Sequence, residues 1–328
     1  MFKRIIKRFR FPLFFMAILA VSWPFLPHSV PHQPLKPLSR SVSSTDSAKL
    51  KSQIPQFDHI AIVMMENKTY SEIIGNKSAP YLNSLADSNA LTYNYFAITH
   101  TSLPNYLALI GGDTFGITSD CTNCFLDKPN LTDNLDKAHK SWKGYMESMP
   151  QSCFVGDNPP YAQKHNPFIY FNDIRLNPDR CQKIVPLTSL ETDLTNPLTT
   201  PNFIFISPNL CHDMHDCSVK VGDDWLSQQI PQILNSPTFK TTNSLLIITW
   251  DEAYGLNANQ VATILVGPHV KQKFVSQTRY DHYSLLHTVE SVWNLPSLTD
   301  NDKAADVMSD LFNWNIYYLT VTKIWLQI

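Results

Sequence analysis

Four short runs of consecutive apolar, largely β-branched residues stand out along the chain, at 57–65, 202–206, 244–250 and 261–266. Runs of this length without polar alternation are what strands buried on both faces require. Between them, apolar residues recur every three or four positions over 79–90, 104–110, 223–234 and 283–293, which predicts helices. Strands alternating with helices predict an α/β fold, with a largely parallel central sheet covered by helices on both faces. In such sheets ligands bind beyond the carboxyl ends of the strands, so the residues that follow each run are where chemistry is expected.

The N-terminal pattern is different. Lys3, Arg4, Lys7, Arg8 and Arg10 precede an apolar run over 11–26 that is bracketed by Pro12 and Pro24. The run is short for a membrane span, which needs about 20 residues, so residues 1–26 are expected to be an export signal peptide. No small-x-small cleavage site precedes the proline-rich stretch, so an uncleaved signal anchor is the alternative. Membrane contact is expected only through this segment, if it stays attached. Residues 27–55 are rich in Pro and Ser and read as a flexible linker. One folded domain is expected over 56–312, followed by an apolar, aromatic tail at 313–328 to which no role is assigned.

Composition narrows the function classes. The chain has 26 basic and 28 acidic side chains, so no summed field favours a nucleic-acid partner, and none is expected. Six cysteines fit an oxidising compartment and agree with export. They fall into close sets, Cys121 with Cys124 and Cys211 with Cys217, leaving Cys153 and Cys181; three local disulfides are expected among the 15 possible connectivities.

Glu66 and Asn67 directly follow the first run, and Asp251 and Glu252 directly follow the third. If the two strands are neighbours, three carboxylates and an amide oxygen converge, an arrangement that calls for protons or one divalent cation. Solvated loops or helix caps would account for the same residues equally well from spacing alone. Ser102 precedes Leu103-Pro104 at the start of a predicted helix, where it can act as N-cap. The same place offers free N–H groups and the positive dipole end to a phosphate or an incipient alkoxide. Cys211-His212-Asp213-Met214-His215-Asp216-Cys217 packs two His and two Asp inside one small loop, a dense supply of ligands and proton donors. His165 and His282 are single histidines that gain weight only from this company.

Taken in order, Met65-Glu66-Asn67-Lys68, His100-Thr101-Ser102-Leu103-Pro104-Asn105-Tyr106, Lys164-His165-Asn166-Pro167-Phe168, the 211–216 loop, Thr249-Trp250-Asp251-Glu252 and Tyr280-Asp281-His282-Tyr283 resemble the bacterial and fungal phosphoesterase family. That family holds acid phosphatases and phospholipases C and belongs to the alkaline phosphatase superfamily. Six ordered motifs over about 57–312 are far more specific than any single one. The resemblance implies an alkaline-phosphatase-like fold and a metal-dependent hydrolase of phosphate esters, most simply an acid phosphatase working through a phosphoserine. A phospholipase C or other phosphodiesterase is the first alternative, and a secreted binding protein that has lost catalysis the second. It implies Ser102 as nucleophile, with His212, His215 and His282 in catalysis and His100, Asn105, His165 and Asp213 around the substrate. Glu66, Asn67, Ser102, Asp251 and Glu252 would hold one divalent metal whose identity stays open. The chain departs from the family pattern at Thr101, where Pro is usual, leaving a second hydroxyl beside Ser102.

Overall fold

The computed structural model describes residues 54–255 and 258–313. The signal or anchor segment, most of the linker and nearly all of the tail lie outside the described residues. Among the described residues nine strands form one sheet: β1 His59–Met65, β2 Ala90–Phe96, β3 Trp142–Met146, β4 Ile184–Pro186, β5 Phe203–Ser207, β6 Ser244–Trp250, β7 Gln260–Val266, β8 Phe274–Ser276 and β9 Tyr280–Asp281. Their order is β4-β3-β5-β1-β6-β7-β2-β8, with β9 pairing further along β2. The four runs read from the sequence are the four contiguous central strands, β5, β1, β6 and β7. The five strands that sequence did not announce flank them, and their mixed patterns say why. β2 carries an exposed Tyr93 and a half-buried Asn94, and β4 is three residues long.

Every pairing is parallel except the two that β7 makes with β6 and β2. Only β7 is therefore reversed, and the expected largely parallel sheet is present. All seven residues of β1 and all seven of β6 are buried. Because successive residues point to opposite faces, both faces of the sheet centre must be covered.

The helices of eight residues or more among the described residues are α1 Pro80–Ser88, α2 Ser102–Gly111, α3 Val219–Leu234 and α4 His282–Trp293. All four fall on predicted segments. α2 packs against α4, and α1 against α3. α1 begins at Pro80 without a side-chain cap of its own; Asp223 of α3 supplies one from across the interface, accepting from the Tyr81 and Leu82 N–H groups at 3.0 and 2.8 Å. α2 is buried along its whole length and stops at Gly112, whose φ of 74° suits a residue without Cβ.

The disulfides are Cys121–Cys124, Cys153–Cys181 and Cys211–Cys217, as the spacing led us to expect. No helix among the described residues is long and apolar enough to cross a membrane. With β7 alone reversed, the carboxyl ends of β1, β2, β3, β5, β6 and β9 share one edge of the sheet. Glu66, the 97–101 loop, Glu147, the 208–217 loop, Asp251 and His282 follow those ends in turn.

Candidate active site

Parallel pairing of β1 with β6 in the register Met65↔Trp250 sets Glu66 beside Asp251. The Asp251 N–H donates to the Met65 carbonyl at 2.9 Å, and the Asn67 N–H donates to Asp251 Oδ1 at 3.1 Å. Asn67 holds a left-handed φ of 52°, which Asn tolerates better than most residues, and this turns its N–H back onto the carboxylate. The Glu66 N–H donates to the Asp213 carbonyl at 2.9 Å, fastening the 208–217 loop to the end of β1.

Ser102 opens α2, and its Oγ donates to Glu66 Oε2 at 3.0 Å. Tyr106, one turn along on the same helix face, donates to Glu66 Oε1 at 2.6 Å. Ser102 is not the N-cap expected from sequence. That position belongs to Thr101, which makes no side-chain capping bond, and Asp120 does the capping instead by accepting from the Leu103 N–H at 3.0 Å. Asp120 also anchors Lys164, whose Nζ lies 3.0 Å from Oδ2. The serine hydroxyl is thereby released from holding its helix and turned toward the carboxylates.

The electrostatics suit a cation. Burial, then repulsion from Asp251 and Asp213, raises Glu66 well above the usual carboxylate range. Burial raises Asp251 to about 7 against the N–H groups that oppose it, and burial with Asp251 beside it raises Glu252 to about 8. Burial also raises Asp213. Asp251 Oδ2, Asp213 Oδ2 and both ring nitrogens of His165 are buried without an aligned hydrogen-bond partner. Buried polar atoms left without partners need an explanation, and a divalent ion supplies one. Glu66, His165 and His215 also bring ligand atoms within 4.8 Å of one another, so two imidazoles join the donor set. The residues fit a metal with mixed oxygen and nitrogen ligands.

The histidines divide by what their rings touch. His165 stacks on Tyr106, with Nε2 3.1 Å from Glu66 and Nδ1 3.2 Å from Asp213; burial, then Lys164, holds it well below the usual imidazole range. His215 gives Nδ1 to Asp216 at 2.6 Å and places Nε2 3.1 Å from Lys164 Nζ. His282 uses both nitrogens inside the fold, on Tyr95 OH at 3.0 Å and the Asp251 carbonyl at 2.6 Å, so it positions Asp251. His212 turns to Glu147, 2.8 Å away, and stacks on Trp225 instead of joining the Ser102–Glu66–Asp251 group. His100 pairs with Glu252, which draws that carboxylate toward the 97–101 loop. Asn105 was expected at the substrate. Its Oδ1 instead accepts from the Ile98 and Thr99 N–H groups and its Nδ2 donates to the Thr99 and Thr101 carbonyls, so its capacity goes to shaping that loop.

Sequence reasoning passed over Asp120 and Glu147, and gave Tyr106 and Lys164 no role. Tyr106 was within reach as the i+4 neighbour of Ser102, and Lys164 adjoins His165. Asp120 gives no signal, because a side chain that caps a helix from 17 positions downstream leaves no periodic trace.

Comparison with known proteins agrees with this geometry. The phosphoesterase family model matches residues 76–296. The chain is 38% identical over 250 residues to a phosphatidylinositol-3-phosphatase of Mycobacterium tuberculosis, covering 75% of this chain and 80% of that protein. It is 33% identical over 298 residues to a probable acid phosphatase of Kluyveromyces lactis, covering 85% and 69%. Among solved structures, an alkaline phosphatase superfamily protein of Vibrio parahaemolyticus shares the fold with a TM-score of 0.53 at 12% identity, over 76% of this chain and 70% of that one. The chain thus belongs to the phosphoesterase family and is a hydrolase of phosphate esters.

Proposed function

We propose that this protein is an exported, metal-dependent acid phosphatase that hydrolyses phosphate monoesters through a phosphoserine at Ser102. The observation that carries the reading is the Ser102 hydroxyl, buried at a helix start, released from capping and 3.0 Å from the carboxylate of Glu66. The names of the relatives, a phosphatidylinositol-3-phosphatase and a probable acid phosphatase, favour monoesters over diesters. Three disulfides and the basic-then-apolar N-terminus favour export.

In this reading Glu66, Asn67, Asp251 and Glu252 would hold one divalent ion, with His165 as a further donor. A bound cation there would lower the pKa of the serine hydroxyl and offset charge on the phosphoryl oxygens. Ser102 Oγ attacks phosphorus, the ester P–O bond breaks, and the alcohol leaves with a proton; water then attacks the phosphoserine, freeing phosphate and restoring the hydroxyl. Two inversions give net retention at phosphorus. His215 holds Asp216 on Nδ1, which leaves its Nε2 as the atom that can pass a proton. Lys164 keeps its charge because the bond to Asp120 and the nearby Glu66 and Asp251 outweigh the effect of its burial. It therefore acts as a fixed cation beside the phosphate.

The test is hydrolysis of para-nitrophenyl phosphate and of its bis ester from about pH 4 to 9, before and after chelation, with Ser102→Ala alongside. Metal-dependent monoester turnover that Ser102→Ala lowers by at least about 1,000-fold is the expected result. Turnover of the bis ester alone would move the assignment to a phosphodiesterase. Unchanged turnover in Ser102→Ala would remove Ser102 as nucleophile.

A further inference from the structure

A cavity of about 260 Å³ adjoins the Ser102 group through three of its lining residues: Asp120, which caps the Ser102 helix, His215, whose ring reaches within 4.8 Å of Glu66, and Lys164, which bonds Asp120. Asp157, Asp216 and Tyr161 line it as well. Its walls are cross-linked. Gln163, fully buried, donates its backbone N–H to Asp157 Oδ1 at 2.8 Å and its Nε2 to the Thr122 carbonyl at 2.8 Å, inside the Cys121–Cys124 loop. The Leu210 N–H donates to the Pro160 carbonyl at 3.0 Å, and Asp216 N–H to the Leu210 carbonyl at 2.7 Å, within the Cys211–Cys217 loop. A cavity held by two disulfide-closed loops and a buried glutamine is preformed, so its shape and charge can select a substrate without rearrangement.

The charge of the lining is lopsided. Three carboxylates, Asp120, Asp157 and Asp216, line it against Lys164, which pairs with Asp120, and the His215 ring, which pairs with Asp216, so Asp157 faces no basic partner of its own. Asp157 and Asp216 each commit only one oxygen, to the Gln163 N–H and to His215 Nδ1, and among the described residues the second oxygen of each has no hydrogen-bond partner. A free carboxylate oxygen accepts hydroxyl hydrogens well and repels a second anion. The volume is at the small end for ligand sites and suits an alcohol of about hexose size.

We propose that this cavity is the leaving-group site, and that Asp157 and Asp216 select monoesters of an uncharged polyol against those whose alcohol carries a second phosphate. The proposal rests on the Ser102 phosphatase reading. It is tested by kcat/KM for fructose 6-phosphate and fructose 1,6-bisphosphate, with para-nitrophenyl phosphate as a separate check of turnover. The expected wild-type ratio is at least tenfold in favour of the monophosphate. In Asp157→Asn, Asp216→Asn and the double variant the ratio should fall, at least fivefold in the double. Asn at 157 retains an acceptor for the Gln163 N–H, and the single variants keep the ratio readable if the double does not fold. A wild-type ratio within twofold of unity, or one that the substitutions leave unchanged, would overturn the selectivity proposal while leaving the phosphatase reading intact. Failure of folded, metal-loaded protein to turn over any of the three esters would instead sink the phosphatase reading itself.

Discussion

At the residue scale the most consequential division of labour is between Ser102 and Asp120. A serine at a helix start ordinarily caps the helix, and here a carboxylate from a distant loop caps it instead and anchors Lys164 with its other oxygen. Asp120→Ala should therefore cost about 1 kcal/mol of stability, the usual value of a cap. It should also lower kcat/KM by at least about tenfold, because the Ser102 helix start and the Lys164 cation lose a shared support. Thermal melts and steady-state kinetics on the same preparation separate the two effects, and a variant with normal kinetics would show that Asp120 serves only the fold. Glu290 offers a cleaner electrostatic test away from the site. Burial, then the neighbouring Asp302, raises its carboxyl to about 9, and both oxygens lack hydrogen-bond partners. The folded chain thus keeps a proton that the unfolded chain releases near its ordinary value of 4.5, so Glu290 erodes stability as pH rises from about 4.5 toward 9. Glu290→Gln should melt like wild type near pH 4 and roughly 2–6 °C higher at pH 8; an equal shift at both pH values would mean that its titration is not the cause. Glu66, Ser102 and Asp251 were legible in the sequence because strand ends and helix starts are local features. The roles of His212 and His282 were not, since which way a ring turns is settled by Glu147, Trp225 and Tyr95, which sequence gives no reason to place beside them.

At the scale of elements, the same contrast separates the centre of the sheet from its margins. β5, β1, β6 and β7 announce themselves because a strand covered on both faces must be apolar at every position. β2, β3 and the short edge strands do not: β2 interrupts its apolar run with Tyr93 and Asn94, β3 with Lys143 and Gly144, and the others are three residues long or fewer. Helices were found where the 3.6-residue period was, including α2, which is buried along its whole length with Ser102 and Asn105 as buried polar residues. What the sequence could not show is how α3 supports the site. Gly222 of α3 lies against the 208–217 loop so closely that an added Cβ would fall 2.4 Å from Met214 Cγ and 2.9 Å from the His212 carbonyl oxygen. The methionine can move, but the backbone carbonyl can only shift with its loop. Gly222→Ala should then destabilise by about 1–3 kcal/mol and displace His212, Asp213 and His215 together. Its signature is a fall in kcat larger than that of an equally destabilising substitution on the solvent face of α3, such as Gln228→Gly. Equal losses from the two variants would show that the loop tolerates the push.

At the scale of the whole molecule, the sheet edge gathers buried acids that repel one another, and the fold carries that strain at its centre. Glu66, Asp251 and Asp213 are fully buried and raised in pKa, with the partly buried Lys164 as a nearby cation. A fold that bound no ion would either protonate these groups or relax away from them. The ordered contacts of Asn67, Tyr106 and His282 around the cluster argue for retaining its geometry with a cation in place. Metal loading should accordingly stabilise the whole domain and not only permit turnover. An ion at a hundredfold excess over its Kd adds about 2.7 kcal/mol to a folded state that alone binds it. In a domain of this size that corresponds to a Tm higher by several degrees. Chelation should lower Tm by that amount and re-addition should restore it, with activity and Tm following the same titration curve. In Glu66→Gln the repulsion is relieved and a ligand lost, so the metal-free Tm should rise while the metal-dependent increment shrinks. A Tm indifferent to chelation in an active enzyme would mean that the buried carboxylates are held by protons, and the cation would then have to be sought elsewhere.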